Sequence, residues 1–150
     1  MTVRNDFLAQ DVSRIIGLKT KDVIDACQRG IIEPRLQARG TGTRRIFSFK
    51  NVIQFQIFKI LRGWGFSRPS IKRIFETIES GGEADKLYSM EESKETIFLA
   101  MVESEDKRLL RLISVKAGQF IKFDPEDTFA AFLINISETK KLIVERVEEI

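Results

Sequence analysis

Histidine is absent from the 150 residues and cysteine occurs once, at Cys27. A lone cysteine excludes an internal disulfide, and nothing in the chain asks for an oxidising compartment. Without histidine, zinc sites of the usual Cys/His type and His-based triads or acid/base pairs cannot be assembled. No apolar run approaches the roughly 18 residues of a transmembrane helix. The opening residues Met1 to Asp6 lead into a polar-interrupted stretch and not into the apolar centre of a signal peptide. No repeat and no low-complexity segment is present. These absences set the expectation of a cytoplasmic protein that is not an enzyme and carries no metal or cofactor. With 43% hydrophobic and 31% charged residues, the composition is that of a globular chain.

The net charge of +3 conceals an asymmetry. Residues 1–80 carry 15 Lys and Arg against 7 Asp and Glu, a net of +8, whereas residues 81–150 carry 10 against 15, a net of −5. Between Arg29 and Arg73 there are eleven basic residues and one acid, Glu33. A reversal of this size points to two modules with different partners, and the basic run is the footprint of a face that binds polyanions.

Val12, Ile15 and Ile16 recur at i, i+3 and i+4, one face of a short helix that Gly17 closes. Thr20 is placed to cap a second helix with Val23, Ala26 and Cys27 inward, ending at Gly30. Two short helices joined through a glycine match a helix-turn-helix. From Arg35 to Phe49 the pattern changes, and Gly40 and Gly42 at its centre predict a β-hairpin. Ser48 then caps a helix, Asn51 to Gly63, that is apolar nearly all round and should be the buried centre. Ser67 caps a fourth helix with Ile71, Ile74, Phe75 and Ile78 inward. Ser80-Gly81-Gly82 marks a boundary. Beyond it, residues 81–95 read as a polar linker, and Thr96 to Val102, Leu109 to Val115 and Gln119 to Phe123 read as strands. Phe129 to Ile136 fits a buried strand and also a helical face, with the strand preferred, and Ser137 caps a last helix. The fold expectation is α+β: residues 1–80 a winged helix-turn-helix of four helices and a β-hairpin wing, able to fold alone, and residues 96–150 a small β-rich domain with a C-terminal helix for regulation or dimerisation.

The residues of the first half resemble the MerR-type regulators over Phe7 to Glu79, about half of the chain. The matching pieces are Gly17-Leu18, Gly30-Ile31-Ile32 with Pro34, Arg45-Ile46-Phe47, and Gly65-Phe66-Ser67 with Ile71. The resemblance implies a DNA-binding regulator acting as a homodimer on an inverted repeat and often distorting promoter DNA. One departure is plain. Where that family carries an arginine and then an aromatic pair in the recognition helix, this chain has Ile24, Asp25 and Ala26.

A second helix of such a pair can enter the major groove of double-stranded DNA and present side chains to base edges. Lys19, Thr20, Lys21, Gln28 and Arg29 are the candidates there, and Asp25 either accepts from a cytosine amino group or repels phosphate. Arg39, Thr43, Arg44 and Arg45 are offered by the hairpin to the backbone or a minor groove, and Arg68 sits at a helix start suited to phosphate. Dimer contacts are expected from Ile143, Val147 and Ile150, spaced i, i+4, i+7. Cys27 and Trp64 read as packing residues, as do Phe120, Phe123, Phe129 and Phe132, although those phenylalanines also suit an effector pocket. Asp124, Glu126 and Asp127 read as an acidic turn, lacking the spacing of a calcium loop. Two further readings stand beside the regulator: an architectural, DNA-bending factor of the excisionase kind, and an adaptor whose basic half binds an acidic protein.

Overall fold

The computed structural model describes residues 4–40, 42–91, 94–105, 107–123, 128 and 130–150. Its elements are α1 (Ala9–Ile16), α2 (Thr20–Gln28), α3 (Phe49–Gly63), α4 (Arg68–Ser80), α5 (Ala84–Tyr88), β1 (Thr96–Glu103), β2 (Arg108–Val115), β3 (Ala130–Asn135) and α6 (Ile136–Glu148). The chain is α+β and divides into two compact units, Met1–Glu76 with Lys141–Ile150, and Thr77–Lys140.

In the first unit the apolar periodicity accounts for the helices. Val12, Ile15 and Ile16 of α1 and Val23, Ala26 and Cys27 of α2 are buried. Gly17 ends α1 at φ 78°, a left-handed conformation that glycine adopts without the Cβ penalty, and its N–H bonds Ser13 O at 2.8 Å. Two cations then meet the last carbonyls of α1: Lys59 Nζ donates to Ile16 O and Arg146 Nη1 to Ile15 O, each at 2.8 Å. Such donors satisfy orphan carbonyls and oppose the negative end of the helix dipole. Helix α3 buries residues on every side, from Phe49 to Leu61, and Phe55 meets Phe47 edge-on at 5.6 Å. Ser48 caps it, accepting from Asn51 N at 3.2 Å.

The expected winged helix-turn-helix is not what the structure holds. Among the described residues all three strands lie in the C-terminal half, and no β-hairpin wing is seen in the first. Residues 35–46 instead make an irregular arm closed by one bridge, in which Leu36 and Ile46 exchange both backbone bonds at 3.0 Å. The physical reason lies in the side chains. Beyond Leu36 and Ile46 the arm carries only Gln, Ala, Arg, Gly and Thr, so a longer ladder would have no apolar face to bury. Gly40 and Gly42, at φ 94° and 87°, turn the backbone away from extended conformation. Helix α2 starts at Thr20 with Lys19 as its cap residue, so the Thr20 cap does not form either.

The second unit is built on a three-stranded antiparallel sheet, order β2-β1-β3. Strand β1 is central. Its Ile97, Leu99 and Met101 are buried on one face, with Leu112 and Ile134 opposite Leu99. The expected strand over Gln119 to Phe123 is absent. Gln119 closes a turn instead, its N–H on Lys116 O and its Oε1 accepting from Lys116 N, both at 3.0 Å. The backbone groups of that turn are spent locally, and Phe120, read as core, is 86% exposed. Phe123 and Phe132 are half-buried, while Phe129, Asp124, Glu126 and Asp127 lie outside the described residues. The segment read as a linker contains α5, whose Leu87 and Tyr88 are buried. Helix α6 is capped by Asn135, whose Oδ1 accepts from Glu138 N at 3.0 Å. Ser137, read as that cap, instead accepts from Ile97 N of β1 at 3.0 Å.

The end of α6 corrects two expectations. Ile143, read as a dimer contact, is 0% exposed in the single chain, while Val147 is half-buried and Ile150 is exposed. Residues 141–150 belong to the first unit, so that unit is not confined to residues 1–80. Ile143→Ala is therefore expected to destabilise the protein by about 2–5 kcal/mol. A denaturant midpoint measured on the full chain checks this, and an unchanged midpoint would return Ile143 to the surface.

Candidate nucleic-acid interface

Helices α1 and α2 are joined by Gly17, Leu18 and Lys19, and the Ser13 hydroxyl, donating to Leu18 O, locks the turn. With Val23, Ala26 and Cys27 inward, Lys21 and Gln28 of α2 are exposed to solvent and Ile24 and Asp25 are half-buried. The first turn of α2 has no side-chain cap. Its free N–H groups, with Lys19 and Lys21, form a positive terminus. Thr20 and Ile24 share an open groove of about 320 Å³ with Leu8, Gln10, Arg44 and Arg45. Thus the arm, although not a hairpin, does bring its Arg pair to the first turn of α2. Arg44 is exposed; Arg45 is half-buried, and its Nε has no hydrogen-bond partner among the described residues.

The other arm residues sit differently. Arg39 is exposed beside the tip. The Thr43 hydroxyl, read as a backbone contact, is occupied internally: it accepts from Arg39 N at 2.6 Å and donates to Gly40 O at 2.9 Å. It shapes the tip rather than reaching outward.

At the far end of α2 a second cationic group assembles around Asp25. Arg29 Nε lies 2.8 Å and Arg68 Nε 3.4 Å from Asp25 Oδ2. A Cβ placed on Gly30 would meet Lys72 Nζ at 3.6 Å, which puts that ammonium at the same end. Lys72 was not among the residues singled out from sequence; only its spacing of four from Arg68 pointed to a shared helix face.

The residue that sequence reading missed altogether is Asn51. It is 3% exposed and uses both ends of its amide. Oδ1 accepts from Arg35 N at 3.2 Å and Ser48 N at 2.9 Å, and Nδ2 donates to Glu33 O at 2.8 Å and Gln54 Oε1 at 3.0 Å. It therefore pins both feet of the arm to the first turn of α3. The N-terminal segment adds to this: Phe7 and Phe47 exchange backbone bonds at 2.9 and 2.8 Å, and Asn5 Oδ1 accepts from Phe49 N at 2.7 Å. Asn51 resembled any polar residue in a helix's first turn, and its partners 16 and 18 residues away leave no local signal.

Cys27 is buried. Burial pushes its thiol up to about 11, against a smaller lowering by the nearby Arg45 guanidinium. Among the described residues no group of three or more His, Cys, Asp or Glu is placed to hold a metal ion. Nor is any helix long and apolar enough to cross a membrane. No protein-family model matches the chain, and comparison with curated proteins finds no match.

Two outcomes follow. Asn51→Ala strips partners from the part-buried Arg35 and Ser48 N–H groups and is expected to cost about 1–3 kcal/mol. Limited proteolysis should then cut first within residues 35–46, and an arm as protected as before would show that its feet are held elsewhere. For Cys27, the unfolded thiol ionises near 9.0 and the native one near 11. The native state thus holds more protons across that interval, and stability falls as pH rises from about 9 to about 11. Cys27→Ala should flatten that part of the stability profile, which equilibrium unfolding at a series of alkaline pH values would read.

Proposed function

We propose that this chain is a cytoplasmic DNA-binding transcription regulator of MerR-like character and not an enzyme. On this reading it sets α2 into the major groove of double-stranded DNA, lays the arm on the backbone, and works as a homodimer on an inverted repeat. The observation that carries the reading is the placement of cations at both ends of α2. Lys19, Lys21, Arg44 and Arg45 stand at its start, and Arg29, Arg68 and Lys72 at its end. A helix of nine residues is about 13 Å long, close to the roughly 12 Å width of the major groove. The other cations at its two ends then face the phosphates on either side, while Lys21, Ile24 and Gln28 face the base edges.

The concentration of positive charge in residues 1–80, a net of +8, supports the same reading, because counterion release favours such a surface on a polyanion. Half-sites of a few base pairs give limited specificity, which is the reason for pairing two copies. Ile143, being buried, takes no part in that pairing.

Replacing Arg44 and Arg45 together by Ala should weaken binding to every duplex sequence alike. Two lost phosphate contacts lower the slope of log affinity against log salt by about 2. An unchanged slope in a folded double variant removes the arm from the contact. Failure of the unaltered protein to bind any duplex at low salt would overturn the regulator reading itself.

A further inference from the structure

Asp25 is an acid on the solvent-facing side of α2, in the surface where duplex contact is proposed, and it holds two of the candidate phosphate contacts. Its carboxylate lies 2.8 Å from Arg29 Nε and 3.4 Å from Arg68 Nε, and the three side chains are between about a third and just over half exposed. Arg68 reaches it from the first residue of another helix, 43 positions along the chain, so the cluster is more than a pairing along α2. An exposed ion pair of this kind adds little stability, and a carboxylate is the least favourable group to bring near phosphates. Its place is better explained by what it does to the arginines.

Resting on the regulator reading, we propose that Asp25 is the specificity-determining residue of this interface, holding Arg29 and Arg68 back from phosphate except where a cytosine amino group takes up its carboxylate. On an arbitrary sequence, each guanidinium that turns to phosphate leaves Asp25 short of a partner and close to the negative backbone. Where C·G stands opposite Asp25, the cytosine N4 amino group, a donor in the major groove, accommodates the carboxylate as the arginines leave it. The exchange then balances only at the correct base pair. Discrimination of this kind comes from a repulsive element as much as from an attractive one.

Asp25→Asn keeps the shape and removes the charge. The variant should bind a mixed-sequence duplex roughly tenfold more tightly than the unaltered protein, with a salt slope steeper by about 1–2 as both arginines reach phosphate. Selection from a randomised duplex pool should lose its preference for C·G at one position in each half-site and keep the others. A purely structural Asp25 would lower the melting temperature and leave both the mixed-sequence affinity and the selected motif as they were, and that result overturns the proposal. Arg29→Gln with Arg68→Gln gives a second measure, because it should weaken binding to the selected site carrying C·G and have much less effect on a mixed-sequence duplex. Unaltered affinity in that folded variant would show that the restrained arginines never reach the duplex. If the unaltered protein selects a motif but Asp25→Asn selects the same one, this inference alone fails. If the unaltered protein binds no duplex, the regulator reading fails with it.

Discussion

The N-terminal unit depends on one buried amide. Asn51 closes both feet of the arm, Glu33 to Arg35 and Ser48, onto the first turn of α3. An asparagine buried at this depth is tolerated because its carbonyl and amino groups all have partners, and each unpaired one would cost about 1–3 kcal/mol. The same residue takes part in the helix cap with Ser48, so the start of the central helix and the exit of the arm are fixed by one side chain. Arg45 lies two residues before Phe47 and lines the same groove as Thr20 and Ile24 of α2.

What was legible in the sequence was periodic, and what was not was long-range or aperiodic. The i, i+3, i+4 recurrence in Val12, Ile15 and Ile16 and the all-round apolar character of α3 reported their burial faithfully. The apolar runs Thr96 to Val102 and Leu109 to Val115 marked two strands, which pair antiparallel. The arm was misread because glycines between basic residues signal a turn, yet strands also need cross-strand apolar pairs, and only Leu36 with Ile46 supplies one. Gln119 to Phe123 looked like a strand by composition, but Gln119 folds back on Lys116 and leaves Phe120 in solvent. Ile143 illustrates a different limit: a helical stripe says that a face is covered, not by what, and here the cover is within the chain itself.

The candidate site divides in the same way. That α2 and the Arg44-Arg45 pair belong to one surface followed from charge and order along the chain, and the structure brings them into one groove. The tie between Asp25 and Arg68 did not, because the two lie 43 residues apart and neither position has a distinctive neighbourhood. Thr43 shows the opposite error: a hydroxyl beside a glycine tip reads as available, but the tip has first claim on it for its own unpaired backbone groups.

Electrostatics then sets what this surface can achieve. Seven cations around a nine-residue helix would attract any polyanion, and attraction alone distinguishes no sequence. Beyond contacts with base edges, a surface of that kind gains selectivity where some of its positive charge is conditional. On the proposed reading Asp25 makes it so, because the guanidiniums of Arg29 and Arg68 are already paired with it. The arrangement also bears on the place of Ile24 in the helix. An arginine there would add a further unconditional contact to the face, raising affinity for every sequence and diluting the contribution proposed for Asp25. A half-buried isoleucine adds none, and on the proposed reading its apolar surface would suit a thymine methyl group beside the base pair assigned to Asp25.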